Sequence, residues 1–148
     1  MIDSECGMMN DLKHICEELD IRNLQTLSIA YVGDAYFHLF VRVNLLKYKY
    51  KVSDLHNLSS KIVSAVAQSK AYQEIENMLT EEEKDFFRRG RNAKSHASHS
   101  ATNAEYHNST GLETLLGMLF IKGSYARLDE IAGAVFHTIM NEDDINDK

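Results

Sequence analysis

Proline and tryptophan are absent from this chain, and glycine supplies only 7 of its 148 residues. Without proline nothing forces a helix to break, so regular elements can run long. With so little glycine, turns must rest on Asn, Asp and Ser. Cysteine is confined to Cys6 and Cys16, which lack metal-site spacing and suit a reducing compartment better than a disulfide scaffold. Long apolar runs are missing too, since nothing approaches the roughly 18 residues that a membrane helix needs. The opening Met1-Ile2-Asp3-Ser4-Glu5 has neither the basic nor the apolar stretch of a secretory leader. The expectation is a soluble, cytoplasmic, single-domain protein over residues 1–148, with no membrane contact and a core of its own.

What is present has helical period almost throughout, so the class is all-α. Asp11 to Leu19 reads as a short amphipathic helix with Leu12, Ile15 and Cys16 on one side. A helix from about Thr26 to Leu46 is apolar on most faces, which predicts a central position. Ser53 caps the next helix, where Leu55, Leu58, Ile62, Val63 and Val66 recur at i, i+3, i+4 spacing; helical signal resumes through Ala71, Ile75, Met78 and Leu79 after a bend near Gln68. Thr80 and Glu83 form a capping box for a helix expected to stop at Gly90. From Gly90 to Asn108 the apolar period vanishes, which predicts a long functional loop. Ser109 or Thr110 caps a helix to about Lys122, Gly123 ends it, and a final helix runs from Ser124 through Ile139. The acidic tail from about 141 is expected to fray.

The net charge of −6 argues against a general polyanion binder, but its distribution does not. Residues Lys84 to Lys94 carry a local +4, leaving −10 on the rest of the chain. Such a concentrated patch is either a solvated charge run or a surface for phosphates. Two isolated acids are a second anomaly. Asp34 lies inside the apolar run Ile29 to Val41, and Glu113 inside Gly111 to Phe120. An ionised carboxylate in apolar surroundings must be paired, neutralised or bound to a metal. Either each acid faces solvent at a helix edge, or the two meet across a helix contact and share a divalent cation. Gly33 and Gly117 favour a contact, because a glycine inside a helix costs about 1 kcal/mol and close approach of another helix compensates it.

Four stretches in order resemble the ribonuclease III fold, and specifically the mini-ribonuclease III family. They are Leu27 to Ala35 (LSIAYVGDA), Leu55 to Gln68 (LHNLSSKIVSAVAQ), Arg89 to Ser95 (RGRNAKS) and Ser109 to Leu119 (STGLETLLGML). The resemblance spans about residues 20–135 and implies a helical bundle of about seven helices assembled as a C2 homodimer. It implies a Mg²⁺-dependent endoribonuclease for double-stranded RNA, with Mn²⁺ as a substitute and Asp34 and Glu113 as catalytic metal ligands. Arg88, Arg89, Arg91, Asn92, Lys94 and Ser95 would contact RNA, and Tyr31, Phe37 and Phe40 belong either to the dimer interface or to the monomer core. The implied substrate is precursor large-subunit (23S) ribosomal RNA, with a large-subunit ribosomal protein as partner. The chain departs from larger relatives where Leu27, Ala30 and Thr110 occupy positions that hold further acids there, and it ends before any double-stranded-RNA-binding domain. Fewer protein ligands leave more water on the ion, which suits magnesium. The competing function is a non-catalytic RNA- or ribosome-binding module of the same fold. His96 and His99 have His-x-x-His spacing but no third ligand, so zinc is not expected, and His56 reads as a capping or packing residue.

Overall fold

One helix without a polar face organises the molecule, a computed structural model that describes residues 4–93 and 103–141. Among the described residues seven α-helices follow in order: α1 (Ser4–Glu18), α2 (Thr26–Leu45), α3 (Val52–Ile62), α4 (Ala65–Ile75), α5 (Glu81–Asn92), α6 (Asn103–Ile121) and α7 (Tyr125–Met140). From Ser109 to Leu119 every residue of α6 except Glu113 is buried. A helix that is apolar all round must be wrapped, and α2, α4, α5 and α7 all pack on this one. No strand occurs among the described residues, in keeping with the all-α class.

The sequence pattern puts α2 at the centre; α6 takes that position instead. Ile29, Phe37, Val41 and Leu45 of α2 enter the core, while Leu27, Tyr31, Leu39, Val43 and Leu46 form an exposed apolar stripe along its outer side. The excess of apolar residues on α2 therefore covers two faces, of which the monomer buries one. On α1, Cys16 packs against the core while Leu12, Ile15 and Leu19 are exposed, so the predicted apolar side is not a buried one.

Several predicted boundaries move, two of them for identifiable reasons, and α3 starts at Val52 with Lys51 rather than Ser53 at its N-cap. The break between α3 and α4 falls at Val63 and Ser64, where the Ser64 hydroxyl accepts the Ala67 N–H at 3.2 Å, rather than at Gln68. Helix α5 continues through Gly90 to Asn92 because Gly90 serves close packing, not termination: a Cβ there would meet the Thr114 side chain and, at 2.8 Å, the Gly111 Cα. Helix α6 begins at Asn103, six residues before the expected cap, which shortens the predicted 90–108 loop from both ends. Lys94, Ser95, His96 and His99 lie outside the described residues, as does the tail beyond Asn141. Gly123, with φ +76, does end α6 as expected.

The capping box at Thr80 is part of a larger lock. Glu83 accepts the Thr80 N–H at 2.8 Å and receives both Nε and Nη2 of Arg127 at 2.8 Å. The same Nη2 reaches the Met78 carbonyl at 2.6 Å, so one guanidinium ties α7 to the entry of α5. The Arg127 hydrogen bonds hold the Glu83 carboxyl below its ordinary pKa of 4.5. A depressed carboxylate contributes stability above its unfolded pKa and loses it as pH falls through its folded value. Arg127→Met should therefore cost about 2 kcal/mol at neutral pH, because it strands a nearly buried carboxylate. The deficit should shrink as acid protonates Glu83, and urea unfolding of both proteins across pH 3–7 checks this.

Candidate active site

Glycine lets α2 and α6 approach backbone to backbone. A Cβ on Gly33 would fall on the Glu113 carbonyl oxygen and lie 2.7 Å from the Gly117 nitrogen. A Cβ on Gly117 would fall on the Ile29 carbonyl oxygen. The contact is reciprocal, and each glycine sits beside or one turn from an acid. Asp34 follows Gly33, and Gly117 is four residues past Glu113 on the same face. The contact brings the two carboxyl groups side by side, with Asp34 on the solvent side of the pair.

Their environments differ. The Asp34 side chain is about half exposed, and its Oδ1 lies 3.1 Å from His38 Nε2, one turn along α2. Glu113 lies deeper, with Gln68 of α4 beside it. Burial, followed by its hydrogen bond with Asp34 and the Asp34 charge, pushes the Glu113 carboxyl up to about 9, while the Gln68 amide pulls the other way. Without a cation the pair therefore holds a proton at neutral pH. A divalent ion held by Asp34 and Glu113 would supply positive charge to both carboxylates.

The donor set fits a hard, oxygen-preferring cation. Among the described residues no group of three or more His, Cys, Asp and Glu forms a fuller cage, so water would complete the coordination. None of the three departures adds an acid here. Leu27 is exposed, Ala30 is packed in the core, and the Thr110 hydroxyl donates to the Tyr106 carbonyl at 3.1 Å.

The basic residues gather at the end of α5. Arg88, Arg89, Arg91 and Asn92 are all exposed. Arg88 pairs with Asp85 at 2.8 Å. The Arg89 guanidinium lies 4.8 Å from the Phe86 ring centroid and donates to Thr26 Oγ1 at 3.4 Å. Arg89 thus bridges to the first residue of the helix that carries Asp34. Gly90, between these arginines, packs on Gly111 and Thr114, which flank Glu113 on α6. The patch and the acid pair therefore share the α2–α5–α6 junction. His56 does not join them; it borders a cleft with Arg42, Leu45 and Val52 between α2 and α3.

Sequence reasoning missed His38 and Gln68. His38 had a usable signal, its i+4 spacing from Asp34. Gln68 had none, because an amide in the run Val-Ala-Gln-Ser looks like any surface position until α6 covers it.

The family model described as "Ribonuclease III domain" matches residues 27–124. A mini-ribonuclease 3 of Symbiobacterium thermophilum is 46% identical, over 75% of this chain and 87% of the relative. One from Staphylococcus aureus is 36% identical, over 82% and 93% respectively. A crystal structure of a Fusobacterium nucleatum protein superposes with a TM-score of 0.73 at 31% identity, covering 80% of this chain and 97% of that one. With the acid pair, the glycine contact and the four motifs all inside the matched region, the chain belongs to the ribonuclease III family, among the mini-ribonuclease 3 enzymes, and is an endoribonuclease of double-stranded RNA.

Proposed function

We propose that this endoribonuclease is Mg²⁺-dependent, acts in the cytoplasm as a C2 homodimer, and trims the paired ends of precursor 23S ribosomal RNA. One observation carries the reading, namely the convergence of Asp34 and Glu113 across a glycine-built contact beside an arginine patch. A bound Mg²⁺ would supply an activated water and neutralise charge on the scissile phosphate. Asp34 and Glu113 hold the ion, and Mn²⁺ substitutes because it accepts the same oxygen donors. Residues 1–148 act as one catalytic domain whose own surface contacts the duplex. Arg88, Arg89 and Arg91 meet phosphates, Asn92 adds a neutral hydrogen bond, and Lys94 and Ser95 extend the contact. A large-subunit ribosomal protein assists by presenting the RNA.

Two strands related by local two-fold symmetry call for two equivalent sites, which a C2 dimer supplies. The stripe of Leu27, Tyr31, Leu39, Val43 and Leu46 supports α2 as that interface. Tyr31, at 79% exposed, fits the expected interface role. Phe37 does not, because it is fully buried in the monomer core, and Phe40 is half-buried against Phe136. Tyr31→Glu should shift the protein from dimer to monomer in sedimentation experiments at micromolar concentration. A dimer unchanged by that substitution would remove this face from consideration.

The reading is tested by incubating the protein with precursor 23S ribosomal RNA, with and without Mg²⁺, and mapping the new ends. Ends at the base of the paired termini, formed with Mg²⁺ alone, are expected; RNA bound but left intact would overturn it. Replacing Arg88, Arg89 and Arg91 together by Ala should weaken duplex binding without changing its sequence preference. The slope of log affinity against log salt should fall by about 2–3, close to one phosphate per arginine removed.

A further inference from the structure

Gln68 is a buried amide with an unmet hydrogen bond beside the acid pair. It lies on α4 and is 1% exposed. Its Nε2 donates to the Val63 carbonyl at 2.9 Å, which closes the end of α3. Ser69, the next residue, accepts Asn108 Nδ2 at 3.0 Å and fixes α4 in register on α6, five residues before Glu113. The Gln68 amide lies beside the Glu113 carboxyl. Yet Gln68 Oε1 is enclosed and has no hydrogen-bond partner among the described residues. An unmatched buried oxygen costs about 1–3 kcal/mol, whereas methionine would fill this space without that penalty. Packing alone does not account for an amide here.

We propose that Gln68 is a positioning residue for the divalent ion: its amide N–H orients the Glu113 carboxylate, and its Oε1 accepts a hydrogen bond from water on the ion. This rests on Asp34 and Glu113 being the metal ligands. An ion held by two carboxylates keeps several waters, whose hydrogens need acceptors. A side chain with both a donor and an acceptor suits this position; an aliphatic one offers neither. Partners of this kind around metal ligands carry about 10–100-fold in metal affinity.

The test is calorimetric titration of Mn²⁺ into RNA-free wild type, Q68M, Q68E and E113Q, with circular dichroism to confirm folding. Wild type is expected to bind Mn²⁺ and E113Q to lose binding. Q68M should weaken it by about 10–100-fold, and Q68E, which keeps the acceptor but loses the N–H, should recover part of the loss. In cleavage assays Q68M should raise the half-saturating Mg²⁺ concentration by the same factor, with an unchanged RNA KM at saturating Mg²⁺. Q68L removes the same two hydrogen-bonding groups in a second shape should Q68M not fold. A folded Q68M or Q68L that binds Mn²⁺ like wild type overturns the role of Gln68, as does a Q68E no better than Q68M. Wild type that takes up no Mn²⁺ overturns the metal site itself, and this role with it.

Discussion

Asp34→Asn and Glu113→Gln should each slow Mg²⁺-dependent cleavage of duplex RNA by about 10³-fold or more, because a metal ligand supports several kcal/mol of transition-state stabilisation. Both variants should keep the helical fold. Asp34 is half exposed, so its amide stays hydrated. Glu113, with its pKa near 9, already carries a proton in the metal-free protein, and glutamine is close to an isostere of that acid. The loss would therefore be one of metal binding rather than of folding. A pH signature accompanies it. With Glu113 as the proposed ligand, a Mg²⁺ ion would have to displace its proton, so wild-type activity at limiting Mg²⁺ should rise with pH up to about 9. Stability in the absence of metal should move the other way. The folded protein keeps a proton that the unfolded chain releases at its ordinary 4.5, so this group's contribution declines as pH climbs from there to about 9. Saturating Mg²⁺ should flatten that decline, and thermal unfolding with and without Mg²⁺ across pH 5–9 measures it. Near wild-type cleavage by either variant would remove the pair as metal ligands.

The parts of this site readable in the sequence are those where local chemistry and packing demand the same residue. Gly33 and Gly117 are costly inside helices, so the cost implies a close neighbour, and the neighbour is there. A lone acid in an apolar run implies a partner, and Glu113 has one in Asp34, although Asp34 itself stays half exposed. Thr80 and Glu83 satisfy one another within a single turn, so their capping box needs no tertiary knowledge. Failures arise where one pattern has two causes. Gly90 has the sequence signature of a helix end, yet its lack of a side chain serves α6 while α5 runs on. The apolar faces of α2 suggest burial all round, yet periodicity cannot distinguish a face that meets the core from one that meets nothing in the monomer. Gln68 escapes notice because a buried amide is defined by what surrounds it, and only the assembled α3, α4 and α6 provide those surroundings.

Gly33→Ala should destabilise the protein by about 3 kcal/mol, although alanine is favoured over glycine in a helix by about 1 kcal/mol. The new Cβ would occupy the place of the Glu113 carbonyl oxygen and press on the Gly117 nitrogen, and backbone cannot step aside as a flexible side chain can. Relief requires α2 and α6 to separate, at the turn that bears the two carboxylates. Cleavage should consequently fall further than the population of folded protein does, because separating the acids weakens their grip on one ion. Gly133 supplies the internal control. It lies within α7, where an added methyl group would meet nothing within 4 Å of this chain, so Gly133→Ala should add up to about 1 kcal/mol of stability without disturbing the α2–α6 contact. Denaturant unfolding and single-turnover cleavage of the two variants side by side separate the explanations. Equal stability of the two would mean that α2 and α6 do not depend on this contact. A destabilised Gly33→Ala whose folded fraction cleaves at the wild-type rate would mean that the contact supports the fold without setting the distance between Asp34 and Glu113.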